Sequence, residues 1–370
     1  MRIDLVITEL FIGGAERQLT ELAIGLSQRG ATVRVISLDE LAQTAPQDQL
    51  LRRLQEAGIE VCSLGCRSQW AVPQAIARLK RLFVADRPDL VQTFLFHANV
   101  IGTWAASRVG IPIRVGGVRV AQPNRARLWL ERRAARQMEA IVCVSRSVEQ
   151  FARQHLGSPQ ATMLTIPNGV DGQRFLTATP FVWEELGLDS DADVILYVGR
   201  LHPQKGTDWL MDAAPRLLLE NPRAALVIVG SGPWRGMVAE RLAKLPKGRS
   251  AMMPLQADIA PLMRAARLLL LPSRYEGMPN VVMEAMAAKL PVISTDAEGV
   301  RELLGEMADP QVVSFGDTDS LCGKLSALLN DPALRSQVVD SNDVRATDVF
   351  SVGAMVDRYW DLYQRLASAS

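Results

Sequence analysis

Apolar residues along this chain fall into short runs, separated by stretches in which they recur every three or four positions. The short runs Ile3–Thr8, Thr32–Leu38, Glu60–Leu64, Leu90–Thr93, Ile113–Val118, Ala140–Val144 and Met163–Ile166 read as strands. Between most of them lie amphipathic patterns of helical period, such as Ala15–Gln28, Trp70–Ala85 and Ala98–Val109. The second half repeats the rhythm. Strands are predicted at Val194–Val198, Ala225–Val229, Ala251–Pro254, Leu268–Leu271, Val292–Ser294 and Val312–Ser314, and helices at Trp209–Leu219, Gly236–Leu245, Val281–Ala288 and Ser320–Leu329. Several of these strands are unbroken apolar runs, as strands buried on both faces require. Strands alternating with helices of about 10–15 residues indicate βαβ units and parallel sheets.

The pattern predicts an α/β chain of two doubly wound domains. The Ile166-Pro167-Asn168-Gly169 turn places the boundary near Asp171–Pro180. Taken as segments, residues 1–175 form one domain and residues 176–345 a second. Residues 346–370 hold a final helix, Val349–Leu366, rich in aromatic residues (Phe350, Tyr359, Trp360, Tyr363), which is expected to pack back on the first domain. At 370 residues the chain can bury two sizeable cores without staples.

Charge adds an asymmetry. The net charge of +1 conceals +7 over residues 1–178 and −6 over residues 179–370. The sharpest excess, Arg114 to Arg136, holds seven arginines and a single acid, Glu131. No apolar run reaches the roughly 18 residues of a membrane span, and the chain opens almost directly on a strand, so a cytoplasmic protein is expected. Cys62, Cys66, Cys143 and Cys322 lack the second ligand pair of a zinc site and are expected as reduced thiols. No metal motif is present.

Three stretches carry candidate chemistry. Gly13-Gly14-Ala15-Glu16-Arg17 follows the first strand, where glycines allow close backbone approach and a helix N-terminus favours an anion. It is neither G-x-G-x-x-G nor a P-loop, which disfavours a dinucleotide or ATP. Gly199-Arg200-Leu201-His202-Pro203-Gln204-Lys205-Gly206 follows the strand Val194–Val198. Two cations at the carboxyl end of a parallel strand stand where open α/β sheets bind ligands, and a planar fork with a point charge suits a diphosphate. Pro272 to Ala285 follows the strand Leu268–Leu271. It sets Glu276 in a loop and Glu284 in the next helix, with Pro279 and Asn280 at the helix start. The backbone amides of Gly277, Met278, Asn280 and Val281 would favour an anion, while the carboxylates can accept hydrogen bonds from vicinal sugar hydroxyls.

In this order the motifs resemble the GT-B-fold retaining glycosyltransferases of family 4, also described as glycosyl transferases group 1. The matching pieces are Gly13-Gly14-Ala15-Glu16, Phe94–Gly102 with His97, Ile166 to Asp171, the Gly199–Gly206 block and Glu276-x7-Glu284. They span nearly the whole chain. The resemblance implies two Rossmann-like domains facing across a cleft. It also implies transfer of a hexose-type sugar from a nucleoside-diphosphate sugar (a UDP- or GDP-sugar) to a saccharide or lipid-linked acceptor in cell-surface glycan synthesis, with no cofactor or metal required. Arg200 and Lys205 would hold the diphosphate and stabilise the leaving group. Glu276 would contact hydroxyls of the transferred sugar and Glu284 those of the ribose. Gly277, Met278, Pro279, Asn280 and Val281 would meet sugar and phosphates, Gly13 and Gly14 would approach the diphosphate, and His97 would face the reacting sugar. The nucleobase region would lie near Leu255–Asp258, and Asn168 and Arg119 are further polar candidates.

Two alternatives share these features. A nucleotide-sugar epimerase of the same fold would need acid/base groups around the sugar C2, and no convincing set is found. A non-catalytic nucleotide-sugar-binding protein would not need all of Arg200, Lys205, Glu276 and Glu284. Separately, Arg125, Arg127, Arg132, Arg133 and Arg136 share a predicted helix with Leu128, Trp129 and Leu130. That reads as an interfacial helix meeting anionic lipid at the inner face of the membrane, with a solvated basic face as the alternative. Nucleic acid is disfavoured because no binding motif accompanies the charge.

Overall fold

A computed structural model describes residues 1–66, 72–121, 123–157 and 161–369. It divides into two compact units, Met1–Gly169 with the chain from Val352 onward, and Val170–Ser351. The divisions fall six residues before the 175/176 boundary and six after the 345/346 boundary read from the sequence. The pairing of the two crossing segments accounts for this. The Val170 amide donates to the Phe350 carbonyl at 2.7 Å, and Val170 bridges Ser351, so both segments are tied together inside unit 2.

Unit 1 is built on a seven-stranded parallel sheet: β1 (Arg2–Ile7), β2 (Thr32–Ser37), β3 (Glu60–Ser63), β4 (Leu90–Phe94), β5 (Ile113–Val118), β6 (Ala140–Cys143) and β7 (Thr162–Thr165). The strand order is β3-β2-β1-β4-β5-β6-β7. Alternate residues of β1 enter different cores. Ile3, Leu5 and Ile7 join one cluster with Leu19, Leu22 and Leu26, while Val6 joins another with Leu79, Phe83 and Ala98. Helices thus cover both faces, which is why Leu5-Val6-Ile7 reads as a continuous apolar run. The helix Val352–Ala369 packs on the first of these clusters through Met355, Val356, Tyr359, Leu362 and Tyr363. Tyr363 donates a hydrogen bond to the buried Gln92 of β4 at 3.0 Å. Across β1 and β2, Asp4 and its register partner Arg34 form a bidentate ion pair at 3.1 and 2.6 Å.

Unit 2 holds β8 (Asp193–Val198), β9 (Ala224–Val229), β10 (Ser250–Met253), β11 (Leu268–Leu271), β12 (Val292–Thr295) and β13 (Val312–Val313), in the order β10-β9-β8-β11-β12-β13. Every pairing in both sheets is parallel. Each predicted strand is present with ends within one residue, and the predicted helices differ by no more than three. Of Trp70–Ala85 the structure describes Val72–Asp86, and Trp70 and Ala71 lie outside the described residues. The helix expected from Val349 starts only at Val352, because Phe350 is buried and its carbonyl is engaged by Val170. Helices at Gln49–Glu56, Arg146–Leu156 and Pro332–Asp348 were not anticipated.

The order of both sheets reverses direction once, between β1 and β4 in unit 1 and between β8 and β11 in unit 2. In open α/β sheets ligands gather outside the carboxyl ends at such a switch point. Gly13 and Gly14, His97, Arg200 and Lys205, and the Glu276–Glu284 stretch each follow one of these four strands, whereas Arg119, Asn168 and Leu255–Asp258 follow β5, β7 and β10.

Candidate functional site

In unit 2, β8 ends at Val198 and the chain turns through Gly199, Arg200 and Leu201 into the short 3-10 turn Pro203–Lys205. His202 caps that turn, its Nδ1 accepting from the Gln204 amide at 3.3 Å. The buried Tyr197 hydroxyl donates to the Arg200 carbonyl at 3.0 Å and supports the loop from below. Burial first, and then the negative charge of Glu276, push the Tyr197 phenol far up, so it stays a neutral donor. Gly206 closes the turn at φ +63, and a Cβ there would lie 1.9 Å from the Pro272 carbonyl oxygen. Only glycine permits this approach of the loop after β8 to the loop after β11.

That approach brings Lys205 to Glu276. Lys205 Nζ lies 2.6 Å from Glu276 Oε1, and the fully buried Ser273 hydroxyl donates to the same oxygen at 2.6 Å. The Glu276 amide donates to Glu298 Oε2 at 3.0 Å. The Thr295 hydroxyl donates to the Ser273 carbonyl, pinning the start of the loop to β12. Gln204 bonds both loops: its Nε2 donates to the Tyr275 carbonyl at 3.1 Å and its Oε1 accepts from Arg200 Nη2 at 3.3 Å. Arg274 braces the outside through a bidentate pair with Asp208 at 2.9 and 2.7 Å, and holds the Asp208 carboxyl below the usual carboxylate range. Arg200 is exposed at the rim.

Pro279 takes the cap position of the helix Asn280–Ala287 with extended backbone, and Asn280 is its first residue. Gly277, Met278 and Pro279 are buried, Asn280 and Val281 half-buried, and Glu284 is buried one turn further on. The Gly277 backbone is approached by Gly299, where a Cβ would lie 2.4 Å from the Gly277 carbonyl oxygen. In the stretch suggested for the base, Asp258 pairs with Arg174 at 2.8 Å.

In unit 1, Gly13 is the extended cap of the helix Gly14–Gln28, and a Cβ on it would meet the Glu16 carboxylate at 2.1 Å. His97 lies one residue into the helix Phe96–Val109, after Leu95, whose φ of 72 and ψ of 161 belong to a region nearly reserved for glycine. The His97 ring meets Phe96 edge-on at 5.0 Å. Desolvation, and secondarily the charge of Arg127, push the imidazole below its ordinary value of 6.5 and favour its neutral form. Arg119 is half-buried, its guanidinium donating to the buried Asn168 and lying 5.8 Å from the Phe94 ring. Burial pushes its pKa down, opposed by the nearby Tyr359 and Glu16. On the helix Arg125–Ala135, Trp129 is exposed under Arg133 at 3.9 Å, whereas Leu128 turns into the core and Leu130 is half-buried. Arg127 is engaged with Glu131 and with the Phe96 ring.

The structure thus joins Lys205 to Glu276 and links Arg200 to both loops through Gln204. Sequence reasoning missed Tyr197, Gln204, Asp208, Ser273, Arg274 and Glu298. Ser273 alone carried a local signal, a hydroxyl immediately after an apolar strand. Among the described residues no group of three His, Cys, Asp or Glu side chains clusters as metal ligands would, and no helix is long and apolar enough to cross a membrane. All four cysteines are free.

Two doubly wound parallel domains of GT-B type, with cations and carboxylates gathered at a switch point, are the architecture expected of a glycosyltransferase. Family comparison agrees: Glycosyltransferase Family 4 matches residues 12–174 and Glycosyl transferases group 1 matches residues 192–331. The chain belongs to this family and is an enzyme of that class. It is 26% identical over 305 residues to the UDP-Gal:alpha-D-GlcNAc-diphosphoundecaprenol alpha-1,3-galactosyltransferase of Escherichia coli, covering 78% of this chain and 79% of that one. The crystal structure of Anabaena HepE in complex with UDP and glucose superposes with a TM-score of 0.85 at 20% identity, covering 99% of this chain and all of that one. Sucrose-phosphate synthase from Thermosynechococcus elongatus superposes with a TM-score of 0.83 at 20% identity, covering 100% of both chains. These two likenesses speak for the fold alone.

Proposed function

We propose that this glycosyltransferase moves a hexose from a UDP-sugar to a lipid-linked saccharide, with the anomeric configuration retained. The observation that carries the reading is the meeting of Lys205 and Glu276 at the carboxyl edge of β8 and β11, with Arg200 tied to the same pair of loops. Lys205 has donors and Glu276 an oxygen left beyond their mutual contact, so a diphosphate and a sugar hydroxyl can be taken up together. The UDP donor and the lipid-linked acceptor draw support from the name of the Escherichia coli relative, and UDP also from the ligands of Anabaena HepE. A GDP-mannose-dependent mannosyltransferase of Corynebacterium glutamicum, 28% identical over 245 residues, keeps GDP as the competing base.

In this reading Arg200 and Lys205 take the charge that develops on the diphosphate as its bond to the sugar C1 breaks. The acceptor oxygen forms the new bond to C1 on the same face, and its proton passes to the departing phosphate oxygen. Glu276 holds hydroxyls of the transferred sugar, and Glu284 holds those of the ribose. Gly277 to Val281 supply backbone and side-chain contacts to the donor. Gly13 and Gly14 serve the diphosphate, and His97 serves turnover as a neutral imidazole. The reaction takes no metal or further cofactor.

Membrane contact forms the second part of the proposal. Arg125, Trp129, Arg132 and Arg133 of one helix and its C-cap residue Arg136 are all exposed, which suits a peripheral position on anionic lipid.

The test is a donor panel of UDP- and GDP-hexoses with a lipid-linked saccharide, the product linkage read by NMR. Transfer from a UDP-hexose with the donor's anomeric configuration supports the reading. An inverted linkage removes the mechanism, and conversion of donor to its epimer without acceptor removes the transferase assignment. Liposome sedimentation tests the membrane part: equal pelleting with and without acidic lipid would count against it.

A further inference from the structure

We infer that Gln204 is a positioning residue that aims the Arg200 guanidinium at the donor diphosphate and couples it to the sugar-contacting loop. The inference rests on the donor reading proposed above. Gln204 sits between the two cations in sequence, and it uses every polar group it has. Its amide donates to His202 Nδ1 at 3.3 Å, and its carbonyl accepts from the Arg274 amide at 2.8 Å. Its side-chain Nε2 donates to the Tyr275 carbonyl at 3.1 Å, and its Oε1 accepts from Arg200 Nη2 at 3.3 Å. The first two bonds fix the backbone of Gln204 on both loops, and the third fixes its side chain at Tyr275, immediately before Glu276. The fourth hands that fixed position to Arg200.

The consequence for Arg200 is geometric. A long exposed side chain has rotamer freedom that must be given up when it holds a ligand. A planar fork loses less if it is already oriented. Gln204 accepts from one edge of the guanidinium only, so the remaining N–H groups stay available for phosphate oxygens. A neutral acceptor does this without competing as an ion: a carboxylate at the same place would attract the guanidinium more strongly but also repel the diphosphate. Glutamine also keeps a donor for the Tyr275 carbonyl, which a carboxylate could not supply.

The experiment measures binding of UDP and of UMP, with GDP and GMP in parallel, to the full-length wild type and to Gln204→Ala, Arg200→Ala and the double variant. Melting temperatures are recorded for each. Wild type is expected to bind one diphosphate more tightly than its monophosphate. Gln204→Ala is expected to weaken that diphosphate about tenfold, the scale of one hydrogen bond to a charged group, and to leave the monophosphate within about twofold. In the Arg200→Ala background, loss of Gln204 should add little, because the two act as a unit. Equal weakening of diphosphate and monophosphate, or losses that simply add in the double variant, would overturn the inference and leave the donor reading standing. If the wild type prefers neither diphosphate over its monophosphate, the donor reading fails and the inference falls with it.

Discussion

Two ion pairs, one in each unit, show how the same chemistry can serve architecture or function. In unit 1, Asp4 and Arg34 join adjacent strands in a bidentate geometry, with side chains 0% and 4% exposed. In unit 2, Lys205 and Glu276 join the loops beyond adjacent strands through one contact, with side chains 18% and 8% exposed. Asp4 has its oxygens engaged by a single rigid fork, and Arg34 also reaches Asp86. Lys205 and Glu276 each keep capacity for another partner. The saturated pair can only hold the sheet together, whereas the unsaturated pair, less deeply buried at Lys205, can exchange partners when a ligand arrives. Removing one member of the first therefore strands a charge in the core, whereas removing one member of the second opens a site.

The comparison can be broken at both ends. The largest effect is expected in turnover: Arg200→Ala combined with Lys205→Ala should lower kcat/KM by at least about 10³, the scale of losing preorganised donors to a developing anion. Turnover near wild type would remove the diphosphate assignment. Unfolding by denaturant should rank the pairs the other way. Arg34→Ala should cost about 3–5 kcal/mol by leaving Asp4 buried and unpaired, and Lys205→Ala about 1 kcal/mol or less. Equal losses would erase the distinction.

The glycines sharpen it further. Gly206→Ala sets a Cβ against the Pro272 backbone at a positive φ and should cost about 2 kcal/mol or more. Gly13→Ala meets the end of the Glu16 side chain rather than backbone, and at a φ open to any residue, so its effect on stability should be smaller than that of Gly206→Ala, read by the same unfolding curves.

A smaller effect concerns His97. Its pKa lies below 6.5, so activity that depends on the neutral ring should hold as pH falls until below that value and only then decline. Desolvation is the first cause of the shift and Arg127 the second. Arg127→Ala should therefore move the acid limb to higher pH by a fraction of the shift, which an NMR titration of the ring would register. A limb that stays put would separate His97 from Arg127.

Most strands were legible because both faces of each sheet are covered, so Leu268–Leu271 or Val194–Val198 could be little else. Arg200, Lys205, Glu276 and Glu284 stood out because each sits in a glycine-bearing turn, or just beyond one, after such a strand. What escaped notice has a common cause. Gln204 and Tyr275, Lys205 and Glu276, and Glu276 and Glu298 meet across 71, 71 and 22 residues of sequence, so no local pattern announces them. The helix Pro332–Asp348 escaped for another reason: its buried face is Val338, Asn342 and Ala346, and its polar member Asn342 donates to Gln311 of a distant turn at 2.9 Å. The tie between Val170 and Phe350 also joins distant segments and shifted both domain boundaries.

The central claim is that the cations of the loop after β8 hold a donor diphosphate. Calorimetric titration of UDP into the wild type and into Arg200→Ala/Lys205→Ala, at matched melting temperature, tests it most directly. The account predicts binding weakened by at least about 100-fold, two charge-assisted contacts being lost. Equal affinity in the two proteins would contradict it.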